Sequence, residues 1–64
     1  MRVVLPDGVK REIEVDDTRI EDILIHLGIN PEEVIVAKNG RIVSECENSG
    51  DGDELKIVRI VHGG

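Results

Sequence analysis

A single stretch of this sequence spaces its apolar residues as a helix does. Ile20, Ile23, Leu24 and Leu27 recur at intervals of three and four, which puts all four on one helical face. Thr18 followed by Glu21 predicts a capping box at the start, Asp22 adds negative charge to the first turn, and Gly28 predicts a left-handed stop. Ile25 falls off the stripe, and His26 is expected as a polar residue at the helix C-terminus rather than as a ligand or base. One helix has one apolar stripe to bury, so the rest of the chain must supply the surface it lies on.

That surface reads as strands. Arg2 to Leu5 is a short β-rich run ending at Pro6-Asp7-Gly8, where Pro presets φ and Gly accepts a positive one. Val9, Arg11, Ile13 and Val15 then alternate with Lys10, Glu12 and Glu14, the period of a strand with one wet face, so the first two strands are expected to pair antiparallel. After a loop at Asn30-Pro31, Val34 to Lys38 and Arg41 to Val43 flank Asn39-Gly40, a strong two-residue hairpin signal. Residues 44–53 are polar and predict a loop, and Glu54 to Val61 is the longest strand candidate.

The chain has 64 residues and therefore room for one core. Its large apolar residues are almost all aliphatic, nine Val, nine Ile and four Leu with no Phe, Tyr or Trp, a composition that favours strands. The expected core takes Val3, Leu5, Val9, Ile13 and Val15 from the first hairpin and the four stripe residues from the helix. Val34, Val36, Val43, Leu55 and Ile57 complete it from the later strands.

Fourteen Asp and Glu against eight Lys and Arg give a formal charge of −6, which opposes nucleic acid and anionic membrane alike and directs attention to protein partners. Lone Cys46 cannot form an internal disulfide, and with His26 and His62 far apart no structural metal spacing is present. The expected compartment is the cytoplasm, there being no secretory segment and no apolar run of about 18 residues at the bilayer-spanning threshold.

Little in the chain suits catalysis. It carries one Cys, two His and no Gly-rich phosphate loop, and Cys46 is read as a loop thiol without a role. Asp51-Gly52-Asp53-Glu54 has the alternating carboxylates of a calcium loop, but the twelfth position counted from Asp51 is His62 where a bidentate Glu is needed, so a turn launching the last strand is expected instead. What remains is the end of the sequence, where the last strand runs into His62-Gly63-Gly64. A carboxylate is a poor electrophile until converted to an acyl-adenylate by another protein. Residues without Cβ pass through a channel too narrow for side chains and adopt any φ, so Gly63-Gly64 suits a tether for such a carboxylate. The expected division is a domain over residues 1–61 and a flexible tail over 62–64.

The order ββαβββ resembles the β-grasp, or ubiquitin-like, fold: an α+β arrangement in which a five-stranded mixed sheet is covered by one main helix and the last strand lies centrally beside the first. The resemblance becomes specific in the second half. The Asp51-Gly52-Asp53-Glu54 turn, the strand Leu55 to Val61, terminal Gly63-Gly64 and the Lys38-Asn39-Gly40 hairpin before Ile42-Val43 are similar to the ThiS/MoaD sulfur carriers. The resemblance implies a carrier, not an enzyme, that binds no cofactor itself. Its C-terminal Gly64 would be adenylated by a ubiquitin-activating-type enzyme using ATP and converted to a thiocarboxylate, whose sulfur goes to thiamin, molybdopterin or tRNA thiolation. A second fate open to the same architecture is that of a protein modifier joined through Gly64 to target lysines. A third, of another class, is a non-covalent binding module with an inert tail.

Strand register adds one more expectation. If Leu55 and Ile57 point inward, then Lys56, Val58 and Ile60 point outward, joined by Val4, Ile35 and Ala37 from adjacent strands. The apolar members, Val4, Ile35, Ala37, Val58 and Ile60, form a patch expected to dock the activating enzyme.

Overall fold

The structure, a computed structural model, describes residues 1–60. In chain order its elements are β1 (Arg2–Val4), β2 (Lys10–Glu12), β3 (Thr18–Arg19), α1 (Ile20–His26), a 3-10 turn (Pro31–Glu33), β4 (Val34–Lys38), β5 (Arg41–Val43), β6 (Asn48–Ser49) and β7 (Glu54–Arg59). Five strands form one sheet in the order β2-β1-β7-β4-β5, and β3 pairs with β6 in a separate two-stranded ladder. The β1–β7 pair is parallel and the other pairs are antiparallel. The fold is therefore the expected α+β β-grasp, with the last strand at the centre.

The two hairpins follow from their turns. Between β1 and β2 the Gly8 amide donates to the Leu5 carbonyl at 2.8 Å, and the Val9 amide to the Asp7 carboxylate at 3.0 Å. Between β4 and β5, Asn39 (φ 50) and Gly40 (φ 85) both take the left-handed conformation of a two-residue turn whose twist matches the strands it joins. This turn fixes Lys38 opposite Arg41 and Ala37 opposite Ile42.

Alternate residues of the central strands pack beneath the helix. Val3, Val34, Val36, Leu55 and Ile57 form a cluster with Ile20, Ile23 and Leu24, and Leu5, Ile13, Val15, Leu27, Ile29 and Val43 pack around it. Val9, expected in this core, is 47% exposed. It has the inward parity of its strand but sits at the turn end of edge strand β2, away from the cluster. Met1 and Ser49, not expected inside, are buried.

The helix ends as expected and begins differently. At its C-terminus Gly28 (φ 78) follows the last turn, with the Gly28 amide bonded to the Ile25 carbonyl at 3.0 Å and the Ile29 amide to the Leu24 carbonyl at 2.9 Å. These are the two bonds of a Schellman stop, and Ile29 folds back against the core. At the N-terminus no Thr18–Glu21 capping box forms: the N-cap is Arg19, without a side-chain cap, and the Thr18 hydroxyl donates to the Asp16 carbonyl at 2.7 Å. The orphan donors are satisfied from far along the chain, the Ile20 amide by the Glu47 carbonyl and the Glu21 amide by the Glu45 carbonyl, each at 2.9 Å. Residues 44–53, expected as loop throughout, thus include a short strand that holds the helix start, and Asn48 adds a bond from its amide to the Asp17 carboxylate at 3.1 Å.

Candidate functional site

The sheet has a second face, opposite the helix, and its residues follow from the ladder. Pairing Val4 with Lys10 and Lys56, and Ala37 with Lys56 and Ile42, lays one row across all five strands: Lys10, Val4, Lys56, Ala37, Ile42. A second row carries Val58 beside Ile35, and Ile60 follows two positions beyond Val58. Val58 is 47% exposed, Ile35 42%, Ile60 36% and Ile42 76%, whereas Val4 and Ala37 are half-buried by their neighbours. All five residues of the expected patch, Val4, Ile35, Ala37, Val58 and Ile60, therefore belong to one side of the sheet that no described element covers. Ile42 extends it, and the signal was present in the sequence, because a two-residue Asn-Gly turn dictates that Ile42 faces Ala37.

On the next row toward the start of β7, Arg2 lies between Glu12 and Glu54. Its guanidinium donates to Glu12 at 3.1 Å and lies 3.8 Å from Glu54, so charge closes that margin of the apolar area. At the opposite end the Ile60 amide donates to the Glu33 carbonyl at 2.8 Å, which fixes the point where the described chain leaves the sheet beside Val58 and Ile35. His62, Gly63 and Gly64 lie outside the described residues, as does Val61.

A polar clamp sets the beginning of β7. The Asp53 carboxylate accepts from the Asn39 side-chain amide at 3.0 Å, the Gly50 amide at 2.9 Å and the Ser49 hydroxyl at 3.0 Å. These bonds, the one from Asn39 foremost, hold its pKa down to about 2 from an ordinary 3.8, with the Lys38 charge adding to them. Asn39 also brackets Glu54, its amide donating to the Glu54 carbonyl at 2.9 Å while its side-chain oxygen accepts from the Glu54 amide at 3.0 Å. The Asp51-Gly52-Asp53-Glu54 segment is thus the expected turn, with a structural carboxylate at its centre. Among the described residues no group of three or more His, Cys, Asp or Glu is placed to hold a metal ion. The acid-lined depression at Glu14, Val15, Asp16 and Asp51 contains no nucleophile. Cys46 is exposed, and its backbone amide donates to the Ser44 hydroxyl at 3.1 Å.

The described residues thus leave an apolar sheet face exposed as far as Ile60, and comparison with known proteins places the chain in a family. The sequence matches the ThiS family over residues 5–64. The chain belongs to the ThiS family. Among curated relatives, the sulfur carrier protein TtuB of Thermus thermophilus is 31% identical over 65 residues, with all of both chains covered. An uncharacterized protein of Archaeoglobus fulgidus is 43% identical over 58 residues, covering 91% of this chain and 85% of the other. The fold is shared with the crystal structure of the thiamine biosynthesis protein ThiS of Geobacter metallireducens, at a TM-score of 0.70 and 20% identity with full coverage of both chains. It is shared too with a computationally designed protein based on human erythrocytic ubiquitin, at 0.69 and 23%, covering all of this chain and 94% of that one. This ThiS-family chain is accordingly a sulfur carrier. No helix among its described residues is long and apolar enough to cross a membrane.

Proposed function

We propose that the Gly64 carboxylate is the group this ThiS-family carrier loads, and that a ubiquitin-activating-type enzyme docks on the open sheet face to activate it. The observation that carries this reading is the extent of the family match, which runs through Gly63 and Gly64. An α-carboxylate is ionised at neutral pH, with an ordinary pKa of about 3.3–3.7, and can attack the α-phosphate of ATP. Pyrophosphate leaves and an acyl-adenylate remains. The terminal sulfur of a persulfide then attacks the acyl carbon and displaces AMP, forming an acyl disulfide. A thiol reduces that S–S bond, is itself oxidised to a disulfide, and leaves the thiocarboxylate on Gly64. The thiocarboxylate donates its sulfur to an acceptor in cofactor biosynthesis or tRNA thiolation.

The protein's own part is presentation. Val4, Ile35, Ala37, Val58 and Ile60 supply the docking area, and Gly63 passes through the enzyme's channel because it has no Cβ. With the activating enzyme of the same organism, ATP, a persulfide donor and a thiol, the intact chain gains the mass of one sulfur-for-oxygen exchange, and fragmentation places it at Gly64. Adding one residue after Gly64 blocks the exchange, Gly63→Val impairs it without unfolding the domain, and Cys46→Ser changes nothing. Sulfur found on Cys46, or isopeptide conjugates formed in place of any thiocarboxylate, overturns the sulfur-carrier mechanism.

A further inference from the structure

The open face is apolar, yet its central row contains a lysine in the middle of the sheet. Lys56 is on β7, with β1 and β2 on one side and β4 and β5 on the other, so at about 4.8 Å per strand it stands roughly 10 Å from either edge. Val4 and Ala37 flank it directly, and Val58 follows it on the same strand face. Lys56 is exposed, and among the described residues it takes part in no ion pair. Arg2 differs, because Glu12 and Glu54 already neutralise it.

The charges of the molecule are sorted accordingly. By register the open face holds three cations, Arg2, Lys10 and Lys56, against two carboxylates, Glu12 and Glu54. The chain as a whole has fourteen acids and eight bases, so the remaining surface carries twelve against five. Along the laddered rows of this face positive charge therefore outnumbers negative, on a protein that is strongly acidic elsewhere. A partner that covers Val4, Ala37 and Val58 also covers Lys56, and stripping water from an unpaired ammonium costs more than the adjoining apolar contacts return. Lysines near an edge escape by extending their stems into solvent, but the distance to either edge denies that route to Lys56.

Resting on the docking role proposed above, we infer that the activating enzyme presents an acidic side chain within an otherwise apolar surface, and that this carboxylate pairs with Lys56. Lys56 selects the partner and leaves the reacting Gly64 untouched, so its effect falls on the carrier's KM and spares kcat. The negative remainder of the chain disfavours acidic surfaces elsewhere, which confines the matching carboxylate to this position.

ATP–pyrophosphate exchange with the full chain and its activating enzyme, at varied carrier concentration, tests the pairing without any sulfur donor. Lys56→Gln raises KM on the order of 30-fold or more, the loss expected when one member of a buried charge pair is removed, with kcat unchanged. Lys56→Glu raises it further, and Lys56→Arg stays near wild type. Thermal melts of all three coincide with wild type, because the residue is exposed. A KM for Lys56→Gln equal to wild type, or a lower KM for Lys56→Met, shows a purely apolar partner surface and overturns the pairing while leaving the proposed function intact. Absence of exchange with the wild-type chain overturns both.

Discussion

Leu55 and Val58 are three residues apart on the same strand and have opposite fates. Leu55 is fully buried under the helix, whereas Val58 is 47% exposed on the other side of the sheet. The pattern repeats on the neighbours, with Val3 inside and Val4 on the open face, and with Val36 inside and Ile35 outside. Both faces are built from the same aliphatic residues, so composition does not distinguish them; the helix does. The covered face converts apolar area into stability. The open face keeps its area in water, where it contributes little to folding and remains available to a partner.

The largest effect expected from this contrast is on the covered side. Leu55→Ala removes a fully buried side chain from a core with few residues to rearrange, and costs about 2–5 kcal/mol. A domain of this size rarely has more than about 3–5 kcal/mol from its single core, so urea denaturation should find the variant largely unfolded. A loss below about 1 kcal/mol would mean that the two faces differ less than their burial indicates.

Val58→Asp applies the converse test. The side chain is half in solvent and outside the core cluster, so stability should change by no more than about 0.5 kcal/mol. Adenylation should fall on the order of tenfold or more, because a carboxylate would then stand in the docking area beside Ile35. Wild-type kinetics in this variant would remove Val58 from the docking surface, and a large drop in melting temperature would assign it to folding instead.

The contrast itself was legible in the sequence. A period of two along Leu55 to Ile60 places alternate residues on opposite sides, and the helical stripe states which element covers one of them. The Asn39-Gly40 turn fixed the β4–β5 register, and Gly28 fixed the end of the helix. What escaped sequence reading has a common cause, namely backbone groups and small polar side chains meeting across long separations. Thr18 and Glu21 carry the letters of a capping box, but carbonyls of Glu45 and Glu47 reach the helix amides first. No side-chain pattern advertises that competition. Ser49 is buried although polar, because its hydroxyl has the Asp53 carboxylate as acceptor. Val9 has the right parity for the core but occupies the wrong end of an edge strand. Parity is a local property, whereas reach of the helix over the sheet is not. The tail residues His62, Gly63 and Gly64, which lie outside the described residues, are singled out by the chemistry of a Cβ-free tether and by the family resemblance, and the open face by register.

The smallest effect concerns what keeps the two faces from exchanging. A slip of one residue in β7 would turn Leu55 and Ile57 outward and put Lys56 beneath the helix, so the start of this strand must be pinned. Asp53 and Asn39 do this from either side of Glu54. The bonds from Asn39, Gly50 and Ser49 favour the ionised carboxylate, lowering the pKa of Asp53 from 3.8 to about 2. A group whose pKa is lower in the folded state stabilises the fold above its unfolded pKa and ceases to do so as protons bind. The contribution of Asp53 is thus complete above about pH 4–5 and disappears as the pH falls through about 2. Asp53→Asn, which replaces one acceptor oxygen by an amide that cannot accept, should lower the melting temperature at neutral pH. The difference from wild type should narrow between about pH 4 and pH 2, because in that interval the wild-type carboxylate binds its proton in the unfolded chain before it does in the folded one, while the amide does not titrate. Amide exchange at Leu55 and Lys56 should quicken in the variant, since the clamp acts where β7 enters the sheet. A difference in melting temperature that stays constant down to pH 2 would show that the shape of the side chain, and not its charge, holds the register.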